Sequence, residues 1–338
     1  MSSTKVSSYE TPTEQHNIKS RGIVTGCICT PILMACGIFC CLIVITIVIL
    51  AVILAVNVNA CSNLSKSVDI NTITPSVYTY DPNAFPTFNF NSFNNILTKT
   101  GQIYVTQSNS TSDTNITVSV RIAATRDESI TVKEENDDST KKIFIQRADT
   151  FKGSLAWIGY LSLPPRCILA KVEVVLPQTI PSTTSIDTDV NDIVFDANSV
   201  PYSQMNAKTI NGDINVNNFA VGNLTLNTYN GGITGSVSGI INQLIATTNN
   251  GKIQLNVLVN FNATNPNIET TNSNGDIQLS FSSSFNGNYD AKTDLGKVTI
   301  INASPETNED KRKAGKVGNN GNGSLITTTK SGNINITF

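Results

Sequence analysis

Histidine is almost absent from this chain of 338 residues: the only one, His16, lies near the amino terminus. A Ser-His-Asp or Cys-His nucleophile arrangement and a His-ligated zinc are therefore excluded from everything downstream of it. Charge is scarce as well, at 14% of residues, and 23 Lys+Arg nearly balance 25 Asp+Glu. A net charge of −2 leaves no basic footprint for nucleic acid. Cysteine is confined: Cys27, Cys29, Cys36, Cys40 and Cys41 cluster together, and only Cys61 and Cys167 lie beyond them. Two distant cysteines allow at most one internal disulfide, so this is no disulfide-stapled scaffold. Past residue 60 no helical stripe of useful length occurs, which leaves strands as the building material.

What the sequence does hold begins with an uncharged run, "GIFCCLIVITIVILAVILAVNV", from Gly37 to Val58. As a helix it would span roughly 33 Å, enough for a hydrocarbon core of about 30 Å. Signal-peptide cores are shorter and lie closer to the start, so an uncleaved anchor is expected. Lys5, Lys19 and Arg21 on its amino-terminal flank favour a cytoplasmic amino terminus. Asn-X-Ser/Thr acceptors at Asn63, Asn109, Asn115, Asn223, Asn262, Asn302, Asn322 and Asn335 all follow the run, in keeping with a lumenal or extracellular domain. Cys27, Cys29, Cys40 and Cys41 are candidates for S-acylation near the cytoplasmic face, or else small apolar fillers of a helix.

Four segments follow: a disordered cytoplasmic tail (1–22), a Cys-rich anchor (23–60), an extended Pro/Asn-rich stalk (61–95) and an all-β domain (96–338). Alternating runs such as "QIYVTQ", "NITVSVRIAA" and "CILAKVEVVLP" mark leading strands over 96–180. From 181 onward one pattern repeats. Its copies are "TDVNDIVF", "TINGDINV", "TYNGGITG", "TNNGKIQL", "NSNGDIQL", "TDLGKVTI" and "TKSGNINI", centred on Asn191, Gly212, Gly231, Gly251, Gly275, Gly296 and Gly332. The spacings are 21, 19, 20, 24, 21 and 36 residues.

With the central residue as position zero, position +2 is always Ile or Val, and +4 is apolar in every copy but that of Gly235. Residues two apart share a strand face, so stacked copies bury one continuous stripe. Met205, Leu224, Leu244, Ile268, Tyr289 and Leu325, at −7, mark a second inward strand. Gly or Asn at zero suits a backbone with positive φ. Such units cannot bury their apolar side alone, so the expected architecture is a β-solenoid of stacked rungs of about 20 residues. The polar stretch 302–324, with Lys311, Arg312, Lys313 and Lys316, reads as a solvated loop inserted between two rungs.

These rungs, following the strand that ends "VEVVLPQTIPSTTSI", resemble the adhesin-like domains of the DUF4097 family over roughly residues 95–338. The resemblance implies a β-solenoid-like fold and an adhesive surface role, and it supplies no catalytic residues.

Position +1 is where chemistry would sit: Asp192, Asp213, Gly232, Lys252, Asp276, Lys297 and Asn333. Stacking brings equivalent side chains to about 4.8 Å. Asp192 and Asp213 are then either a glycosidase or calcium pair, or part of a solvated edge of alternating charge. The second account is the plainer one, with +1 left free by the repeat. "GGITGSVSG" lacks the following helix that a phosphate loop needs. The expectation is a membrane-anchored adhesion or interaction module on the cell surface or in a secretory organelle. It would present a solenoid to glycans or proteins, without catalysis or cofactor. The competing readings are a polysaccharide-cleaving enzyme using the rung aspartates, and a scaffold that adds strands at its end near Phe338.

Overall fold

The structure, a computed structural model, describes residues 39–49, 51–52, 55, 69–92, 101–124, 130–147, 168–178, 184–188, 191–240, 242–259, 265–281, 285–318 and 321–338. Two units separate, Met1–Ala51 and Val52–Phe338. Of the apolar run, 39–49, 51–52 and 55 are helical and exposed, and the rest lies outside the described residues. Among the described residues, no helix is long and apolar enough to cross a membrane.

The second unit is built of strands. In chain order they are β1 (Ser76–Tyr80), β2 (Thr87–Ser92), β3 (Gln102–Gln107), β4 (Ile116–Ala124), β5 (Ile130–Asp137), β6 (Thr140–Arg147), β7 (Ile168–Leu176), β8 (Thr184–Thr188), β9 (Asp192–Phe195), β10 (Tyr202–Asn211) and β11 (Ile214–Asn230). The remainder are β12 (Ile233–Ile240), β13 (Gln243–Asn250), β14 (Ile253–Val259), β15 (Asn267–Asn274), β16 (Ile277–Phe281), β17 (Gly287–Leu295), β18 (Val298–Ile301), β19 (Pro305–Asn308), β20 (Arg312–Val317), β21 (Gly323–Ser331) and β22 (Ile334–Thr337).

Two sheets result. The first runs β1-β4-β7-β3-β9-β11-β12-β14-β16-β22-β18. The second runs β5-β6-β2-β8-β10-β11-β13-β15-β21-β17-β20-β19. Each rung lays one strand in the second sheet, turns tightly at position zero, and lays the next in the first sheet. The seven rungs stack in parallel, as a solenoid requires.

The predicted stripes form the core between the sheets. Every +2 side chain is fully buried, from Ile193 to Ile334, and so are the −7 residues Met205, Leu224, Leu244 and Ile268. Threonine at −3 is buried as well, which the periodicity alone does not explain. Thr209 donates its Oγ1 to the carbonyl of Asn191 at 3.0 Å, Thr228 to Gly212 at 2.8 Å, and Thr248 to Gly231 at 2.8 Å. Asn272 does the same through Nδ2 to Gly251 at 2.6 Å. The hydroxyl thus satisfies an inward carbonyl of the neighbouring rung, and its burial carries no unpaired polar group.

The same carbonyls explain the glycines. A Cβ on Gly231 would lie 2.0 Å from the Gly212 oxygen, and one on Gly251 would lie 2.0 Å from that of Gly231. Positive φ holds at Gly275, Gly296 and Gly332 but not at Gly212, Gly231 or Gly251. Close approach between rungs, rather than the expected φ, is the cause common to all six. Gly235 follows the same rule: a side chain there would meet the backbone of Val216.

Four expectations need correcting. Stretch 61–95 is not all stalk, because β1 pairs with β4 and β2 pairs with both β6 and β8. An eighth strand joins the stack after Gly101, where β3 lies on β9 with Ile103 opposite Ile193. Nor is 302–324 a solvated loop: β19 and β20 form an antiparallel hairpin, and β20 continues the second sheet beyond β17. Arg312 grips Asp290 with two bonds, at 3.0 and 2.7 Å. Finally, the rung of Phe338 is not terminal. β21 lies between β15 and β17, and β22 lies between β16 and β18. The last rung in sequence is therefore inserted between the two before it. Phe338 packs on Phe281, Phe285 and Tyr289, closing the core there.

At the other end, Lys141 occupies a core-facing position opposite Phe88 and is 4% exposed. Its ammonium bonds Glu134 and, at 3.0 Å, Asn136 Oδ1, and it lies 5.5 Å from the ring centroid of Phe85. Burial pushes its pKa down. Beyond it the antiparallel pairing of β5 with β6 ends the sheet on a hairpin rather than on another parallel rung.

Two outcomes are expected. Thr228→Val strips the Gly212 carbonyl of its donor and should cost about 1–2 kcal/mol in urea unfolding. Gly251→Ala forces a backbone clash and should cost about 3 kcal/mol. A third concerns pH: Tyr202 donates its hydroxyl to the Pro177 carbonyl at 2.9 Å, and burial raises its pKa from 10.0 to about 12. The folded state binds that proton more tightly, so the stability it lends is full below pH 10 and lost as pH climbs toward about 12. Tyr202→Phe should flatten part of that alkaline loss, to which Tyr80 and Tyr289, both also raised by burial, contribute as well.

Candidate functional site: the tight-turn edge

The rung turns lie along one edge of the stack, and two columns of polar side chains run beside them. The −1 column holds Asn211, Asn230, Asn250 and Asn274, all exposed. Asn230 donates to Asn211 at 2.8 Å, Asn250 to Asn230 at 2.8 Å, and Asn274 to Asn250 at 2.9 Å. Asn230 and Asn250 each use one donor and one acceptor along the ladder, which leaves each a further donor and acceptor site. Sequence reasoning missed this column, although the Asn before Gly212, Gly231, Gly251 and Gly275 was its signal.

The +1 column is not free. Asp192 accepts from the backbone N–H of Asp213 at 2.8 Å, and Asp213 accepts from that of Gly232 at 2.6 Å. Asp276 accepts from Asn333 N at 2.7 Å, and Asn333 Oδ1 accepts from Lys297 N at 3.1 Å. Each side chain thus reaches forward to tie the next rung's turn. Among the described residues, no group of three or more His, Cys, Asp or Glu could hold a metal ion. At −2, Ile210 and the facing Tyr229 are exposed.

The opposite edge, where first-sheet rung strands end, carries most of the sequons. Asn109 and Asn115 follow β3, Asn302 follows β18, and Asn322 precedes β21, all four exposed. Asn223 sits half-buried where β11 passes between sheets, its amide donating to Ser203 O at 3.2 Å. Asn335 is exposed in mid-β22. None of the described sequons lies on the tight-turn edge. Asn63 and Asn262 lie outside the described residues, as do Cys27, Cys29, Cys61 and Cys167, while Cys40 and Cys41 are exposed free thiols.

The outer face of the first sheet is uncharged over six rungs at +3, with Asn215, Thr234, Gln254, Gln278, Asn335 and Thr299. Charges gather on the second sheet instead, among them Lys208, Glu269, Asp290, Lys292 and Lys330.

A stack of short Gly-turned strands forming two sheets defines a class of all-β rung proteins. The family described as Toastrack DUF4097 matches residues 91–337, and the chain belongs to that family. No curated protein matches it. Among solved structures, it is similar to a candidate cell adhesion protein from Clostridium sporogenes at 12% identity and TM-score 0.31, covering 78% of this chain and 99% of that one. A candidate adhesin from Bacteroides fragilis matches at 13% identity and TM-score 0.37, covering 78% and 96%. A candidate lipid-binding protein from Parabacteroides distasonis matches at 13% identity and TM-score 0.28, with the same coverage.

If the +1 aspartates serve the turns, Asp213→Asn, which keeps the accepting oxygen, should leave stability nearly unchanged, whereas Asp213→Ala should cost about 0.5–1 kcal/mol. Urea midpoints of the two variants check this.

Proposed function

We propose that this protein is a membrane-anchored interaction module, holding its rung domain on the outer or lumenal side for contact with surface glycans or proteins. Gly37–Val58 is the anchor, with the tail inside and Cys27, Cys29, Cys40 and Cys41 as acylation candidates near the cytoplasmic face. The exposed apolar side chains of its helical residues, from Phe39 to Val52, support that assignment.

One observation carries the reading: four exposed sequons, Asn109, Asn115, Asn302 and Asn322, share the edge opposite the tight turns. Glycans there would shield one edge and leave the turn edge bare. That bare edge offers outward amides at a period of about 4.8 Å, and the neutral first-sheet face lies beside it. Neutral polymers and peptide groups both match such donors and acceptors. The proposal contains no catalytic step, since the rung aspartates are engaged by backbone N–H groups.

Endoglycosidase treatment of the protein from its own cells should increase gel mobility. Protease added to intact cells should remove the rung domain and spare the tail. A domain that is both unglycosylated and shielded from protease would overturn the topology and the surface role together.

A further inference from the structure

Where the second sheet begins, an amine, an amide and a carboxylate meet at one nitrogen. β5 and β6 are the arms of an antiparallel hairpin in which Asn136 stands opposite Lys141 and Glu134 opposite Ile143. Residues two apart share a strand face, so Glu134 and Asn136 project to the same side as Lys141 and the buried Ile143. Lys141 Nζ reaches both of them, donating to Glu134 Oε1 and, at 3.0 Å, to Asn136 Oδ1. The amide carbon of Asn136 is bonded to that oxygen, about 1.2 Å from it. A nucleophile and an acyl carbon are therefore held side by side, with a carboxylate on the same nitrogen.

The surroundings suit a reaction between them. Lys141 is buried, and the ring centroids of Phe85 and Tyr80 lie 5.5 and 5.9 Å from its Nζ. Phe88, opposite Lys141 on β2, stacks on Tyr80 at 6.3 Å. Desolvation by this aromatic wall lowers the pKa of Lys141 and so raises its share of neutral amine, the nucleophilic form. The Tyr80 hydroxyl is buried in the same wall with no hydrogen-bond partner. On the other flank Asn136 is exposed, and the Glu134 side chain is 39% exposed, which gives a small leaving group a way out. As a plain ion pair the cluster adds little, because the cost of burying an ammonium offsets the attraction it gains.

We propose that Lys141 and Asn136 condense into an isopeptide bond across the β5–β6 hairpin, with Glu134 carrying the proton. Nζ adds to Cγ of Asn136, Glu134 takes a proton from Nζ and passes it to Nδ2, the Cγ–Nδ2 bond breaks, and ammonia leaves. The Nζ–Cγ amide is the product, and Glu134 ends as it began. No oxidant, reductant or co-reactant enters. Amine and amide are inert toward each other when free, but here register holds them in place, which removes the entropic part of the barrier. The product is neutral, so the cost of a buried ammonium disappears with it. Among the described residues β5 pairs only with β6, and the bond fastens that edge strand to the sheet. It forms whichever side of a membrane the domain faces.

Peptide mass spectrometry of the purified full-length protein, denatured and cut with trypsin, tests the bond. Lys133 and Lys142 flank the hairpin, and 134–142 contains no sequon. The expected peptide is 134–142, lighter by one ammonia, uncut after Lys141 and without fragment ions from breaks between Asn136 and Lys141. Asn136→Asp should form the same bond with loss of water in place of ammonia. Glu134→Gln and Lys141→Arg should both keep the full mass. Glu134 is partly exposed, so Glu134→Gln should fold, and a circular dichroism spectrum matching wild type checks that it has. A wild-type peptide of full mass overturns the bond. So does loss of ammonia with Lys141 still open to trypsin, since Asn136 has then closed on its own backbone. A bond that forms as fully in Glu134→Gln overturns the part given to Glu134. None of these results touches the surface reading, which fails only on the glycosylation and protease test.

Discussion

The structure depends on one contact: the approach of each turn to the carbonyl of the turn before it. The oxygen of Gly212 occupies the space where Gly231 would carry a Cβ, and Thr228, three residues earlier on the same rung, bonds that oxygen. Glycine and threonine are therefore two halves of one device. Glycine lets the carbonyl in, and threonine satisfies it. Each link is worth only about 1 kcal/mol, but a side chain at position zero would push two rungs apart and cost every contact above it. The asparagine ladder outside and the apolar stripe inside depend on that spacing.

Because the device is local and repeated, the stack tolerates disorder in the chain's route. The Gly332 rung accepts Thr293 and donates Thr329 as readily as sequential neighbours would, although fifty-seven residues separate Gly275 from Gly332. The ends need separate treatment, since every rung is a template for another. The antiparallel β5–β6 hairpin, with Lys141 buried on β6, ends the second sheet on one side, and the β19–β20 hairpin ends it on the other. A charge from the stretch that reads as a solvated loop in the sequence serves this cover, Arg312 by pairing with Asp290.

Much of the repeat was legible. Ile214, Ile233, Ile253 and Ile277 are buried as the period-two pattern requires, because strand geometry turns sequence spacing directly into facing. Threonine at −3 was visible as a column but silent as to cause, since its partner lies one rung away in space. Asp213 looked chemical because carboxylates at rung spacing could act together. What engages it is a backbone N–H, a group that every sequence contains and none advertises. The strand after Gly101 escaped because its nearest relative in the stack, at Asn191, stands ninety residues later.

By itself the sequence determined the period, the inward and outward positions, the glycine turns and the absence of histidine chemistry beyond the tail, because these follow from residue type at short range. Tertiary structure alone decided the order of the rungs, the cover at the end of the second sheet, the bonding of the +1 aspartates, and the separation of sequons from turns onto opposite edges. When every rung carries the same columns, local pattern permits many stacking orders. Only the packing of Phe338 and the docking of the hairpin select one of them.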